Sequence, residues 1–186
     1  MNLLLPTKGH LLVAEPSVIG DASFNRSVIL LADYNEKGSL GFVLNKPTEF
    51  FLGDFIPDLD VDFTIYSGGP VETENLYFIH SIPDLIEGSE EIAAGIFWGG
   101  NFEKVIQLIK EGLITKKCVQ FFLGYSGWGP LQLDEELEEH TWVVVENRQD
   151  DKIIGPCTEA LWRDTLIELG EKYAVFSNAP ENPNFN

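Results

Sequence analysis

Positive charge is scarce in this chain: twelve Lys and Arg face thirty Asp and Glu, a formal net charge of −18. Such a field repels phosphate backbones and anionic lipid surfaces, whose affinity for proteins comes mainly from Lys and Arg. Direct nucleic-acid binding is therefore disfavoured, and only Lys104, Lys110, Lys116 and Lys117 lie close enough in sequence to form a local basic patch. Cysteine is nearly absent. Cys118 and Cys157 are far apart, with no Cys-x-x-Cys pair, which excludes a disulfide framework and a local zinc knuckle. Free thiols suit a reducing compartment, so a cytoplasmic location is expected. The three histidines, His10, His80 and His140, have no partner at i+4, and a zinc site would need assembly from distant segments. No apolar run approaches the ~20 residues of a membrane helix. Met1–Lys8 has no basic region before its short apolar stretch, so neither a signal peptide nor a membrane association is expected. Neither G-x-x-x-x-G-K-[ST] nor G-x-G-x-x-G occurs, and no cofactor and no metal are expected.

What is present suffices for one core. The chain has 186 residues, 44% of them hydrophobic, including thirteen Phe, four Trp and five Tyr. A domain of this length buries roughly 70% of its unfolded surface without staples. We read residues 1–186 as a single domain with an extended tail over 177–186, where two prolines favour extended backbone. Runs of β-branched and aromatic residues bounded by turn formers predict strands at Leu11–Ala14, Val28–Ala32, Leu40–Leu44, Phe63–Tyr66, Leu76–His80, Ala93–Trp98, Val119–Leu123 and Trp142–Val145. The polar stretch Asp33–Ser39 predicts an antiparallel hairpin between the second and third.

Helices are fewer. Asn101 is placed to cap one over Phe102–Glu111 stopped by Gly112, Pro130 to open one running to Glu139, and Thr158 to cap a last one ending at Gly170. A shorter helical piece is expected at Phe50–Phe55. Strands outnumber helices and alternate with them irregularly, which predicts an α+β fold rather than a doubly wound parallel sheet.

The segments Leu11–Pro16, Phe24–Ile29, Gly38–Pro47, Gly68–Val71, Trp98–Phe102, Phe122–Trp128, Leu161–Arg163 and Leu169–Gly170 resemble, in order and spacing, the bacterial YqgE/AlgH family. The resemblance implies antiparallel strands folded into a pseudo-barrel with helices packed outside. It also implies a C-terminal tail docked through Phe185. Its members are generally uncharacterised, and some carry the label of transcriptional regulator.

Three readings of function follow. The leading one is a non-enzymatic binding or regulatory protein with an unidentified protein or small-molecule partner. Its site residues would be Arg26, Asn45, Lys46, Pro47, Gly68, Gly69, Pro70, Ser126 and Trp128, because family motifs on loops point to function more than core positions do. No catalytic residue is assigned in this reading. In the second, Gly124–Gly129 follows a strand and precedes a helix, the setting of a nucleophile elbow, with Ser126 as nucleophile of a small-molecule hydrolase and Asp134 and His140 following in order. Against it, Trp128 stands where a glycine belongs, and the plainer alternative is a glycine-rich turn. The third is direct nucleic-acid binding, with Phe97, Trp98, Phe121, Phe122, Tyr125 and Trp128 as a stacking platform that lacks interleaved cations. The plain alternative for Gly68–Pro70 and Asn45–Pro47 is turn chemistry. For His80 it is packing, and for both thiols burial.

Overall fold

The computed structural model describes residues 4–93, 95–158 and 160–178. Its elements are β1 (Leu11–Ala14), β2 (Val28–Asn35), β3 (Gly38–Val43), β4 (Pro47–Phe51), β5 (Thr64–Ser67), β6 (Val71–His80), β7 (Glu90–Ala93), β8 (Ile96–Trp98), α1 (Phe102–Lys110), β9 (Val119–Trp128), α2 (Gln132–Glu138), β10 (Trp142–Val145), α3 (Ala160–Glu168) and α4 (Glu171–Ala174). Strands pair in the order β10-β1-β2-β3-β9-β6-β8-β7, every pair antiparallel. β5 runs parallel beside β9 and carries β4 antiparallel on its other side. The fold is α+β and mainly antiparallel, as expected.

Alternation along the strands divides the interior. Leu11 and Val13 face a central core with Leu30, Phe42 and Phe122, while Leu12 and Ala14 face Ile29, Leu31, Val43 and Trp142 on the other side. Both faces of β1 are covered, which is why it reads as an unbroken apolar run. β7 comes round against β2, so the sheet curls. The C-terminal Ile153, Trp162, Leu166 and Tyr173 close the central core, α2 covers the second, and α1 covers a third beneath β5, β6 and β9.

Local signals placed α1 and α3. The Asn101 side chain accepts from Lys104 N at 3.0 Å, and Val105, Leu108 and Ile109 are buried on one face. Thr158 Oγ1 accepts from Ala160 N at 3.3 Å.

Several expectations needed correction. Gly124–Trp128 is no turn but the second half of β9, with Tyr125 opposite Val71 and Ser126 opposite Gly41. Gly124 sits at a positive φ of 68° in the middle of that strand. A Cβ there would lie 2.6 Å from Val71 O, at the point where the β6 register shifts. The glycine bends the strand rather than ending it.

Pro47 opens strand β4, where a missing N–H is tolerated. Of the helix expected at Phe50–Phe55, only Leu52–Asp54 forms, as one 3₁₀ turn. The strand expected over Ala93–Trp98 is two, β7 and β8, divided at Gly95. α2 starts at Gln132 rather than at Pro130. Ser177 and Asn178 end a 3₁₀ helix, Val175–Asn178, rather than opening an extended tail. The expected docking of the tail through Phe185 lies outside the described residues.

Candidate functional site

The nine residues singled out in the sequence separate into two groups and one outlier. Gly68, Gly69, Pro70 and Ser126 form the first group, in which Gly68 and Gly69 lie close against β9. Gly68 N donates to Leu123 O at 2.9 Å, and Gly68 O accepts from Val43 N at 2.9 Å. Ser126 is fully buried, and its hydroxyl donates to the same Gly68 carbonyl at 3.1 Å. The groups that followed it in hydrolase order are engaged elsewhere: Asp134 accepts from the Tyr34 hydroxyl at 2.8 Å, and His140 is exposed beyond α2.

Trp128 is the outlier. It is buried, and its indole N–H donates to Glu136 at 2.8 Å. The other residues of the supposed stacking platform are also packed inward: Phe121 and Phe122 are fully buried, and Phe97 stacks on His80.

The second group is Arg26, Asn45 and Lys46, with Pro47 exposed beside them at the start of β4. These three line a cleft of about 450 Å³ together with Asn25, Trp162 and Arg163. Asn45 is buried and holds the floor of the cleft. Its Oδ1 accepts from Val28 N and its Nδ2 donates to Arg26 O, both at 2.9 Å. That pins Arg26 in a left-handed conformation, φ 55°.

The Arg26 guanidinium lies 5.2 Å from the centre of the Trp162 ring, and Trp162 is fixed by donating to Ala14 O at 2.8 Å. Lys46 Nζ donates to Ala22 O at 3.2 Å. Arg163 follows Trp162 on α3, half exposed, with Asp164 Oδ1 at 3.5 Å from its Nε. Arg163 was missed as a site residue. Its signal was its place in the Leu161–Arg163 motif, at the start of a capped helix.

Several other reactive groups are committed to structure. Burial pushes the Cys157 thiol up to about 11. Its backbone N–H donates to the Tyr66 hydroxyl at 3.1 Å, which ties the segment before α3 to β5. Lys116 of the supposed basic patch pairs with Asp62 at 2.6 Å. Among the described residues, no group of three or more His, Cys, Asp or Glu is placed to hold a metal ion. No helix among them is long and apolar enough to cross a membrane.

His80 is fully buried, with Nδ1 accepting from Ile82 N at 3.3 Å and, among the described residues, no well-formed hydrogen bond at Nε2. Burial lowers its pKa below 6.5, outweighing an opposing contribution from the Gly99 backbone. The sign of the linkage follows. Below 6.5 the unfolded chain takes up a proton that the folded chain refuses, so unfolding free energy should fall as pH drops from 6.5 until the folded pKa is reached. Chemical denaturation of wild type and His80→Phe across this window tests it: the variant should lose the extra slope, and parallel curves would refute it.

Residues 11–174 match the sequence profile of the family described as DUF179, AlgH-like. The chain belongs to the AlgH-like family. Among its AlgH-like relatives, a UPF0301 protein of Bacteroides thetaiotaomicron is 37% identical, the alignment spanning 100% of this chain and 94% of the relative. One from Chlorobium chlorochromatii is 39% identical over 97% of this chain and 95% of its own. The solution structure of the AlgH protein from Pseudomonas aeruginosa superposes with a TM-score of 0.69 at 26% identity, covering 97% of this chain and 98% of that one. The crystal structure of protein DIP2367 from Corynebacterium diphtheriae shares the fold, with a TM-score of 0.77 at 21% identity, covering 96% and 95% of the two chains. Three of the segments in which the sequence was read as resembling that family, Phe24–Ile29, Gly38–Pro47 and Leu161–Arg163, contribute to the one cleft.

Proposed function

We propose that this protein is a non-enzymatic binding protein, and that the cleft walled by Arg26, Lys46 and Arg163 is the face that meets its ligand. The observation that carries the reading is convergence: three motif segments far apart in sequence supply side chains to one concave opening. Convergent polar groups in a cleft of a few hundred Å³ are the usual form of a small-ligand site. A regulatory role, of the kind that the label on some family members implies, would work through ligand occupancy of this cleft.

The hydrolase reading has less support. A nucleophile needs a base within hydrogen-bond reach and access to substrate, and the Ser126 hydroxyl is buried against a carbonyl. Direct binding to nucleic acid also has less support, since the net charge is −18 and Lys116 is held by Asp62.

Two measurements test the reading. Native mass spectrometry of protein purified gently from cells should show a bound mass on wild type that is missing from Lys46→Glu/Arg163→Glu. Identical spectra would count against the cleft. A fluorophosphonate probe should leave Ser126 unlabelled; labelling of wild type but not of Ser126→Ala would restore the enzyme.

A further inference from the structure

We infer that the rim of the sheet over Glu49–Phe63 is a second binding face, and that its occupant is a basic amphipathic helix of another protein. None of these residues lines the cleft, and the inference stands without the reading given to the cleft.

Exposed aromatic surface is the first argument. Among the described residues four phenylalanines are exposed, and three of them, Phe50, Phe51 and Phe55, fall together, at 43%, 43% and 44% exposure. The core takes Leu52 and Leu59 from the same stretch and leaves the three rings outside. Phe50 and Phe55 meet edge to face, 5.8 Å between centroids, so their apolar surface is held in place before a partner arrives. Clustered apolar surface of this kind marks an interaction site, whereas single exposed apolar residues do not.

The groove beside the rings is the second. It measures about 580 Å³, is walled by Phe51, Leu59 and Phe63, and carries Asp54, Asp60 and Asp62. Asp54 is fixed there, since its Oδ2 accepts from Phe51 N at 2.8 Å. A Lys or Arg side chain suits both halves of such a lining, with its methylene stem on the apolar walls and its charged head at the carboxylates. Where a cation of this chain reaches the rim it is engaged: Lys116 Nζ lies 2.6 Å from Asp62.

Charge and backbone select the occupant. From Glu49 to Phe63 the chain carries five acids, Glu49, Asp54, Asp58, Asp60 and Asp62, and no Lys or Arg. A second copy related by a two-fold axis would set these acids against their own counterparts, and an anionic membrane would be repelled likewise. A partner rich in Lys and Arg is attracted instead. Among the described residues β4 pairs only with β5 and has no strand on its other side. Two of its N–H groups are nevertheless taken, Phe50 N by Thr48 Oγ1 at 3.1 Å and Phe51 N by Asp54 Oδ2 at 2.8 Å, and its register with β5 is irregular. An added strand would lack those donors. A helix satisfies its own backbone and docks through side chains, apolar ones on the rings and cationic ones on the acids.

Fluorescence anisotropy tests the inference with three short labelled peptides of the same amphipathic helical spacing, built from Leu and Lys, Ser and Lys, or Leu and Glu. The Leu/Lys peptide should bind one per chain, the Ser/Lys peptide about tenfold more weakly, and the Leu/Glu peptide not measurably. Phe50→Ser/Phe55→Ser should weaken Leu/Lys binding about tenfold, and Asp60→Asn/Asp62→Asn about threefold, with the latter loss shrinking at high salt. Leu131→Ser/Glu135→Gln, an exposed apolar residue and an exposed acid at α2, should change nothing. The asparagine pair replaces exposed side chains only, so its result stands whether or not the serine pair folds. Absence of Leu/Lys binding overturns the inference. So does binding that neither rim variant weakens, or a Ser/Lys or Leu/Glu peptide that binds as tightly as Leu/Lys. Sedimentation of the protein alone and flotation with phosphatidylglycerol vesicles complete the test. Self-association or vesicle binding that disappears in Phe50→Ser/Phe55→Ser would give the face to a second copy or to a membrane, and would overturn it too.

Discussion

Replacing Gly69 with alanine is expected to cost about 4 kcal/mol or more, enough to unfold a marginally stable domain at moderate temperature. Two effects add. Gly69 holds a φ of 149°, a conformation that residues with a side chain rarely adopt. A Cβ at this position would also overlap the Tyr125 carbonyl group and Ser126 N, all backbone atoms of β9 that cannot turn aside. Urea denaturation against Gly20→Ala separates the two terms. Gly20 also has a positive φ, 97°, but nothing within 4 Å of the added carbon, so its substitution should cost only the conformational part, about 1 kcal/mol. Equal losses in the two variants would show that the close approach of Gly69 to β9 contributes nothing.

The second large effect is expected at Glu136. Its Oε2 accepts from both buried indoles, Trp128 Nε1 at 2.8 Å and Trp142 Nε1 at 2.7 Å, and its Oε1 accepts from Gln132 Nε2 at 3.0 Å. Glu136 thereby joins α2 to β9 and β10 across a core in which the two tryptophan rings meet edge to face. Glu136→Leu leaves two indole N–H groups without an acceptor. Hydrogen bonds to a charged group contribute about 1.5–3 kcal/mol each, so a loss of about 3 kcal/mol is expected, with partial solvation of Glu136 setting the lower figure. Glu136→Gln keeps one carbonyl acceptor and should lose about half as much, while Glu135→Gln, on the exposed side of α2, should lose almost nothing. Thermal or urea unfolding followed by tryptophan fluorescence reads all three. A Glu136→Leu protein as stable as Glu135→Gln would show that water replaces the carboxylate at no cost.

Both sites show how far the sequence was legible. The partners of Glu136 are a tryptophan eight residues before it and one six residues after, yet nothing in the run Asp134–Glu139 distinguishes Glu136 from its acidic neighbours. Read as a helix face, the run is correctly wet on one side, and only the meeting of Trp128 with Trp142 gives the Glu136 carboxylate its two indole donors. The glycine segments misled in the opposite direction. Gly68-Gly69-Pro70 and Gly124–Gly127 carry turn composition, and β9 nevertheless continues, bent at Gly124, through the latter. Glycine marks two situations alike, a chain that reverses and a chain that another chain must approach closely. Composition does not tell them apart.

The candidate site divides in the same way. Arg26, Asn45 and Lys46 were singled out from motif segments and lie on one cleft; Ser126 and Gly68, singled out on the same grounds, hold β9 against the segment after β5. Arg163 belongs with the first three.

By itself the sequence determined the acidic field, the both-faces-apolar strands at Leu11–Ala14 and Val28–Ala32, and the helices capped by Asn101 and Thr158. These features are read from residue counts, from alternation and from contacts three or four residues apart, all of which a linear chain displays. The tertiary structure alone decided which glycines would be crossed by another strand, which carboxylate would hold two tryptophans, and that Arg26, Lys46 and Arg163 would share an opening. Those outcomes depend on which distant segments lie side by side, a choice made by the packing of the whole sheet rather than by any local pattern.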